Sequence, residues 1–207
     1  MTGTATRYLY LVRHGEALPD ESGLSANGRR QATLIGQRLA KRPISLVQHG
    51  PLRRAAQTAR LIAEQLPGAG LCEVECAGDY VPSFPLRSEL PPEAADRLMG
   101  FLAQATPEER EQGPGLARQA VERFTGPVVG DHERHELVVT HSFLVAWLVR
   151  HALGAPEWRW LGLNQGNAAL TVIRYAPGRL PSLLVHNDVD HLPAELRWTG
   201  FPPELRV

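Results

Sequence analysis

Cysteine is scarce in this chain of 207 residues, which contains only Cys72 and Cys76. Structural zinc sites usually take four ligands in closely spaced pairs, and no second cysteine pair accompanies these two. No cluster of carboxylates in the sequence demands a metal either. We therefore expect reduced, unreactive thiols and no metal site.

Long apolar runs and an excess of one charge are also missing. No stretch approaches the ~20 apolar residues of a membrane span, and the first residues, Met1-Thr2-Gly3-Thr4, lack the apolar core of a secretory signal. Lysine and arginine together number 22, as do aspartate and glutamate, so no overall field attracts nucleic acid or an acidic membrane. These absences predict a cytoplasmic protein whose partners are neither nucleic acids nor membranes.

What the chain has instead is an alternation of strand-like and helix-like segments. Short apolar runs predict strands over 8–12, 44–47, 71–76, 136–140, 168–174 and 182–186, the last two as a hairpin. Amphipathic patterns predict helices between Ser25 and Pro43, between Pro51 and Pro67, and over 93–104, 107–124 and 144–153. Gly113-Pro114-Gly115 predicts a break or kink, and the proline-rich stretch 77–92 predicts an ordered loop. This alternation indicates an α/β fold with a largely parallel sheet, and the length fits a single domain over residues 1–207.

The tetrapeptide Arg13-His14-Gly15-Glu16 directly follows the strand over 8–12. It therefore leaves the carboxyl end of that strand, where open α/β sheets bind their ligands. Arginine offers a planar fork of donors that matches phosphate oxygens, and unprotonated histidine is a nucleophile at neutral pH. Gly15 lets the backbone turn tightly and approach a ligand. By itself, the tetrapeptide fits a solvated turn as well as a phosphate site.

Two further segments repeat this arrangement of a strand end followed by a helix. Arg53 and Arg54 open the helix after the second strand, where backbone N–H groups and the helix dipole favour an anion. His141 follows the strand over 136–140. Taken singly, the arginines fit an exposed first helical turn and the histidine fits a buried core residue. Because the carboxyl ends of parallel strands converge, these segments and Arg13 together predict one site.

The segments that carry this chemistry also match a known pattern as a set. In chain order they are Leu11-Val12-Arg13-His14-Gly15-Glu16, Leu24-Ser25-Ala26-Asn27-Gly28-Arg29-Arg30-Gln31-Ala32, Pro51-Leu52-Arg53-Arg54-Ala55-Ala56-Gln57-Thr58-Ala59 and Val138-Val139-Thr140-His141. Together they resemble the histidine phosphatase superfamily, the phosphoglycerate mutase-like proteins. The resemblance implies a three-layer α/β sandwich with a mostly parallel central sheet flanked by helices.

The resemblance also implies roles for individual residues. His14 would attack phosphorus and become a phosphohistidine, and His141 would be the second catalytic histidine. Phosphate oxygens would be bound around them by Arg13, Arg54, Gly15 and Glu16, with Glu16 in a supporting role. Two guanidiniums and an imidazole supply the positive charge that magnesium supplies in other phosphoryl transfer enzymes. No metal and no other cofactor is therefore expected.

The chain departs from the family pattern at two points. Many members carry a serine where this chain has Gly50, so that one side-chain contact to phosphate would pass to a backbone N–H. The proton donor for the leaving group is usually a glutamate after the third strand, and no glutamate motif stands there. Asp79, just past that strand, is the candidate general acid, with Glu89 as the reserve. Because Asp79 follows a glycine, it also fits an ordinary turn.

Three functions fit this pattern. The favoured one is a metal-independent phosphomonoesterase that acts on a small phosphorylated molecule or a phosphoprotein. A phosphomutase usually needs inserted segments that exclude water, and the chain is compact. A non-catalytic phosphate- or protein-binding module is the third, and the absence of a proton donor would favour it. The loop over 81–92 is expected to cover the pocket, with Arg87 reaching a second anionic group, and the oligomeric state is left open.

Overall fold

A six-stranded mixed sheet carries the fold in the computed structural model, which describes residues 3–206. Its strands are β1 (Arg7–Arg13), β2 (Ile44–His49), β3 (Gly70–Glu73), β4 (Arg134–Thr140), β5 (Leu170–Tyr175) and β6 (Ser182–Asp188). They lie in the order β3-β2-β4-β1-β5-β6. The first four strands are parallel, whereas β5 is antiparallel to β1 and β6 is antiparallel to β5. The predicted α/β class, the largely parallel sheet and the closing hairpin are confirmed.

Helices cover both faces of this sheet. They are α1 (Ala26–Leu39), α2 (Arg53–Ala63), α3 (Ala95–Leu102), α4 (Pro107–Phe124) and α5 (Ser142–Ala152). Leu9 and Leu11 of β1 pack in one core with α4 and α5, whereas Tyr10 and Val12 pack in a second core with α1 and α2. Since successive strand residues point to opposite faces, a single strand supplies both cores. The result is the expected three-layer sandwich.

Helix α4 differs from its prediction, because it runs unbroken through Gly113-Pro114-Gly115. A proline inside a helix removes one backbone hydrogen bond and costs about 3 kcal/mol. The second half of α4 buries Ala117, Ala120 and Phe124 in the core. Burying a phenylalanine side chain alone contributes about 1.5–3 kcal/mol, so tertiary packing offsets the local penalty. The prediction of a break at this point is wrong.

The parallel register brings three strand ends to one edge of the sheet. Arg13, the last residue of β1, lies opposite Thr140, the last residue of β4. His49, at the end of β2, lies opposite Val139 of β4. The segments that follow these three strands therefore leave the sheet side by side.

One sheet with helices on both faces supports the assignment of residues 1–207 to a single domain, which stays a prediction. Residues 1, 2 and 207 lie outside the described part of the chain. None of the described helices combines the length and the apolar character needed to cross a membrane.

Candidate active site

His14 emerges from the end of β1 with both ring nitrogens engaged. Its backbone N–H donates to the Thr140 carbonyl at 2.9 Å, which ties the turn to β4. Its Nδ1 lies 2.7 Å from the Gly15 carbonyl oxygen and must donate there, because a carbonyl oxygen only accepts. The lone pair is therefore on Nε2, where it accepts from Nε of Arg54 at 3.2 Å. This tautomer leaves Nε2 as the nucleophilic atom.

The imidazole of His14 is held in its neutral form. Burial lowers the pKa of His14 well below its ordinary value, and the neighbouring His141, Arg13 and Arg54 lower it further. The hydrogen bond to the Gly15 carbonyl opposes this shift but does not reverse it. At neutral pH, His14 is therefore uncharged and lies close to the cationic side chains of Arg13 and Arg54.

Close backbone packing explains the glycine that follows the nucleophile. The N–H of Gly15 donates to the Thr58 hydroxyl at 3.0 Å, and a Cβ on Gly15 would lie within 3.0 Å of the Gly28 carbonyl oxygen. A Cβ on Gly28 would in turn lie within 3.0 Å of the Glu16 backbone. The start of α1 therefore rests directly on the nucleophile turn, and only glycines permit that approach.

Glu16 makes contacts that support the packing of α1 on the nucleophile turn. Its N–H donates to the Gln31 side-chain oxygen at 2.8 Å, and its carboxylate accepts from the Ser25 hydroxyl at 2.6 Å. Ser25 also caps α1 by accepting from the N–H of Gly28 at 3.0 Å. A carboxylate offers phosphate no donor at neutral pH. These contacts support the loop, and the assignment of Glu16 to phosphate binding stays a prediction.

Arg54, in the first turn of α2, is buried and directed at the nucleophile. Besides its bond to His14, it donates from Nη2 to Asp79 at 2.7 Å and from Nη1 to Glu21 at 3.2 Å. Two carboxylates thus contact the guanidinium that the sequence assigned to phosphate. Glu21 was not foreseen, since an exposed loop glutamate carries no distinguishing pattern.

His141 and Asp79 complete the cluster. The rings of His14 and His141 lie 4.9 Å apart between centroids, and Nδ1 of His141 is 3.3 Å from Asp79 Oδ2. Nε2 of His141 is buried and makes no hydrogen bond within residues 3–206. Burial raises the pKa of Asp79, but the contact with His141 and the charge of Arg54 outweigh burial and hold that pKa well below its usual range. The structure therefore brings the predicted aspartate to the site as an anion.

The guanidinium of Arg13 is held at one of its nitrogens, Nη1. Nη1 donates to the carbonyl oxygens of Gln165 at 2.5 Å and Gly200 at 2.6 Å. Nε is buried without a hydrogen-bond partner among the described residues. Burial lowers the pKa of Arg13 to about 10, with Asp79 opposing that shift and Arg54 adding to it. The side chain remains a cation at neutral pH.

Two asparagines, Asn164 and Asn167, precede β5. Asn167 donates from Nδ2 to the His14 carbonyl at 3.0 Å, which helps to fix the nucleophile turn. Asn164 instead lines a neighbouring cleft.

The structure gives a steric reason for Gly50. A Cβ there would lie within 3.0 Å of the Ala77 carbonyl oxygen, so a serine does not fit without movement of the backbone. The N–H of Gly50 donates to the Val139 carbonyl at 3.2 Å. In this conformation the Gly50 N–H is therefore already engaged by β4, and its replacement of the missing serine contact stays a prediction.

The other loop candidates lie on exposed turns. Glu89 accepts from the N–H of Leu86 at 2.6 Å in a short 3₁₀ turn, and Arg87 pairs with the exposed Asp96. Neither makes a contact with the histidines. No group of three or more potential metal ligands occurs within the described residues.

A cleft of about 1200 Å³ lies near the site, although neither histidine lines it. It reaches Ser142, which follows His141, and Asn164, which precedes the residue that binds Arg13. Its walls carry aromatic side chains and charges of both signs: Phe101, Phe143, Trp158, Trp160, Arg97, Arg159, Glu93 and Glu204. This volume exceeds the roughly 300–1,000 Å³ that is usual for small-molecule pockets.

Comparison with known proteins settles the family. A family model described as the histidine phosphatase superfamily (branch 1) matches residues 9–189. The chain belongs to the histidine phosphatase superfamily. This confirms the resemblance read from the four segments.

Curated relatives of this chain include the mitochondrial serine/threonine-protein phosphatase Pgam5 of Caenorhabditis briggsae, 29% identical over 199 residues. That match covers 91% of this chain and 65% of the relative. The human PGAM5 phosphatase is 25% identical, with 92% of this chain and 65% of the relative covered. The chain thus spans just under two thirds of the length of these curated relatives.

Solved structures share the fold. A phosphoglycerate mutase from Plasmodium falciparum superposes with a TM-score of 0.62 at 21% identity, covering 92% of this chain and 96% of that one. An alpha-ribazole phosphatase from Shigella flexneri gives a TM-score of 0.60 at 20% identity, covering 87% and 96%. At these identities, the matches establish the fold alone.

The expected cytoplasmic location of the protein is contradicted, because the curated Pgam5 relatives are described as mitochondrial. The expectation rested on the absence of an apolar secretory core. Mitochondrial transit peptides are amphipathic and rich in arginine rather than apolar, so that test does not detect them.

Proposed function

We propose that the protein is a metal-independent phosphomonoesterase that forms a phosphohistidine on His14. The observation that carries this proposal is the state of His14, whose Nδ1–H is held by the Gly15 carbonyl and whose neutral Nε2 accepts from Arg54. A neutral imidazole with a fixed tautomer is what attack on phosphorus requires. Membership of the histidine phosphatase superfamily supports the same conclusion.

The reaction proceeds in two transfers. As the Nε–H of Arg54 turns from His14 to the phosphoryl oxygens, the freed Nε2 lone pair attacks phosphorus in line, the ester P–O bond breaks, and the leaving oxygen takes a proton from Asp79. Water then attacks the phosphohistidine, Asp79 takes a proton from it, and the P–N bond breaks to return the electron pair to Nε2. Arg13, Arg54 and Nε2 of His141 stabilise the phosphoryl oxygens, which is where positioned charge accelerates phosphoryl transfer most.

Asp79 must gain a proton before it can act as the acid. In the free site it is ionised, because Arg54 donates to it at 2.7 Å and His141 lies 3.3 Å away. A bound phosphate dianion attracts the same two groups and adds negative charge beside the carboxylate. Both effects raise the pKa of Asp79 on substrate binding.

The substrate class that we propose is a phosphoserine or phosphothreonine in a protein. The curated relatives are named as serine/threonine-protein phosphatases, and the neighbouring cleft, which reaches Ser142 next to His141, is larger than a small metabolite needs. A small phosphorylated molecule is the alternative substrate.

Hydrolysis of p-nitrophenyl phosphate in excess EDTA tests the chemistry. We expect EDTA-resistant turnover that is lost in His14→Ala and kept in His132→Ala, which removes an exposed histidine from a loop. Turnover that persists in His14→Ala, or that EDTA abolishes, contradicts the proposal. Comparison of a phosphoserine peptide with free phosphoserine then tests the substrate class, since a protein phosphatase prefers the peptide.

A further inference from the structure

The segment Trp198–Phe201, which we name the C-terminal strap, reaches back to the first strand. The Gly200 carbonyl accepts from Nη1 of Arg13 at 2.6 Å, although the two residues are 187 positions apart. The Gln165 carbonyl accepts from the same Nη1 at 2.5 Å. Both hydrogens of Nη1 are therefore used by fixed backbone oxygens. Nη2 and Nε of Arg13 make no hydrogen bond to the described residues.

Two residues hold the strap in place, one through its side chain and one through its backbone. The Thr199 hydroxyl accepts from the side-chain amide of Gln31 at 2.8 Å, and the Thr199 carbonyl accepts from the N–H of Asn167 at 2.9 Å. Gln31 is fully buried, and its oxygen accepts from the N–H of Glu16 in the nucleophile turn. Asn167 donates from its side chain to the His14 carbonyl. The strap and the nucleophile are thus fastened to the same two residues.

The strap backbone is in an unusual conformation. Trp198 has φ of 63° and Gly200 has φ of 66°, both in the left-handed region. A left-handed bulky residue persists only where its surroundings enforce it. A Cβ on Gly200 would lie 2.8 Å from Nη1 of Arg13 and within 3.0 Å of the Asn167 side-chain oxygen. Only glycine allows the carbonyl to reach the guanidinium.

We propose that Gly200 is a positioning residue that acts through Arg13. By holding Nη1, the strap orients the guanidinium so that its free Nε and Nη2 donors face the phosphoryl group. This inference rests on the proposed function, because it assumes that Arg13 binds phosphate during turnover. It adds a contribution from the far end of the chain to a site otherwise built on strand ends.

The test compares Gly200→Ala with Gly178→Ala. Gly178 lies in the turn between β5 and β6 with φ of 65°, and nothing lies within 4 Å of an added Cβ. Both variants impose the same backbone strain, but only Gly200→Ala places a Cβ against Arg13 and against the Asn167 side chain. Because a misplacement of about 1 Å can reduce turnover ~10²-fold, we expect about that loss in kcat/KM for Gly200→Ala. Gly178→Ala should keep the wild-type value.

A second background separates positioning from a general structural role. If Gly200 acts through Arg13, then Gly200→Ala introduced into Arg13→Ala should cost little further activity. Equal losses in both backgrounds, or a Gly200→Ala variant that matches Gly178→Ala, overturns the inference. Circular dichroism checks that each variant is folded. Thr199→Val, which removes only the Gln31 contact, should lower kcat/KM less than Gly200→Ala does.

The two proposals fail in different ways. Wild-type turnover that does not need His14 contradicts the proposed function and removes the basis of the inference. Turnover that needs His14 but ignores Gly200→Ala contradicts the inference alone.

Discussion

Replacing Asp79 with asparagine separates two opposite effects of this carboxylate. In the free site Asp79 accepts from Arg54 at 2.7 Å and competes with phosphate for that guanidinium. The Asp79 side chain is 36% exposed, so solvent screens the pair, and the interaction is worth about 1 kcal/mol. Its loss should therefore lower KM about fivefold.

The same change removes the proposed proton donor. General acid catalysis contributes roughly 10²–10⁴-fold when the leaving group is poor. An alkyl phosphate such as phosphoserine leaves as a strongly basic alkoxide and needs that proton, whereas p-nitrophenolate leaves readily without it. We therefore expect kcat for the alkyl phosphate to fall at least ~10²-fold in Asp79→Asn, while p-nitrophenyl phosphate loses far less.

The assay is steady-state hydrolysis of both substrates by the wild type, Asp79→Asn and Asp131→Asn. Asp131 is an exposed loop residue, and its amide variant controls for the loss of one negative charge. Equal losses on the two substrates would refute the role of proton donor and leave Asp79 as an electrostatic neighbour of Arg54.

Three further predictions concern pH and packing. Because burial lowers the pKa of His14, the value of kcat/KM, corrected for substrate ionisation, should stay constant as the pH falls through about 6.5, the ordinary pKa of histidine. A fall of kcat/KM by half at that pH contradicts a neutral nucleophile. Gly100→Ala, at an exposed position of α3 with open space around an added Cβ, should raise the free energy of unfolding by about 0.5–1 kcal/mol. Gly28 is also helical, but an added Cβ there would press against the Glu16 backbone. Gly28→Ala should therefore lower both stability and activity, measured by thermal unfolding and by turnover. The hydrogen bonds from Arg38 lower the pKa of Asp188 to about 2, so Asp188→Asn should cost about 1 kcal/mol at neutral pH. Because the pKa of Asp188 is lowered in the folded protein, this stabilisation is fully present above about pH 3.9, the ordinary pKa of aspartate. It is lost as the pH falls to about 2, so urea unfolding should show the difference in stability between the variant and the wild type disappearing there.

The sequence by itself determined the strands, most helices and the meeting point of the chemistry. Alternating and apolar runs report burial on a local scale, and a parallel sheet necessarily brings its strand ends to one edge. His14 and His141 could be assigned to one place for that reason, and their rings do lie 4.9 Å apart. The family followed from the same short segments.

Only the tertiary structure decided which contacts the predicted site residues make around those histidines. The pairing of Arg54 with Asp79 and Glu21, and the bond from Arg13 to Gly200, join residues whose separation follows from the paths of loops. Such contacts leave no periodic trace in the sequence, because loops carry no repeating pattern of burial. Helix α4 makes the converse point: its local pattern predicted a break at Pro114, and packing of its second half against the core overrode that preference.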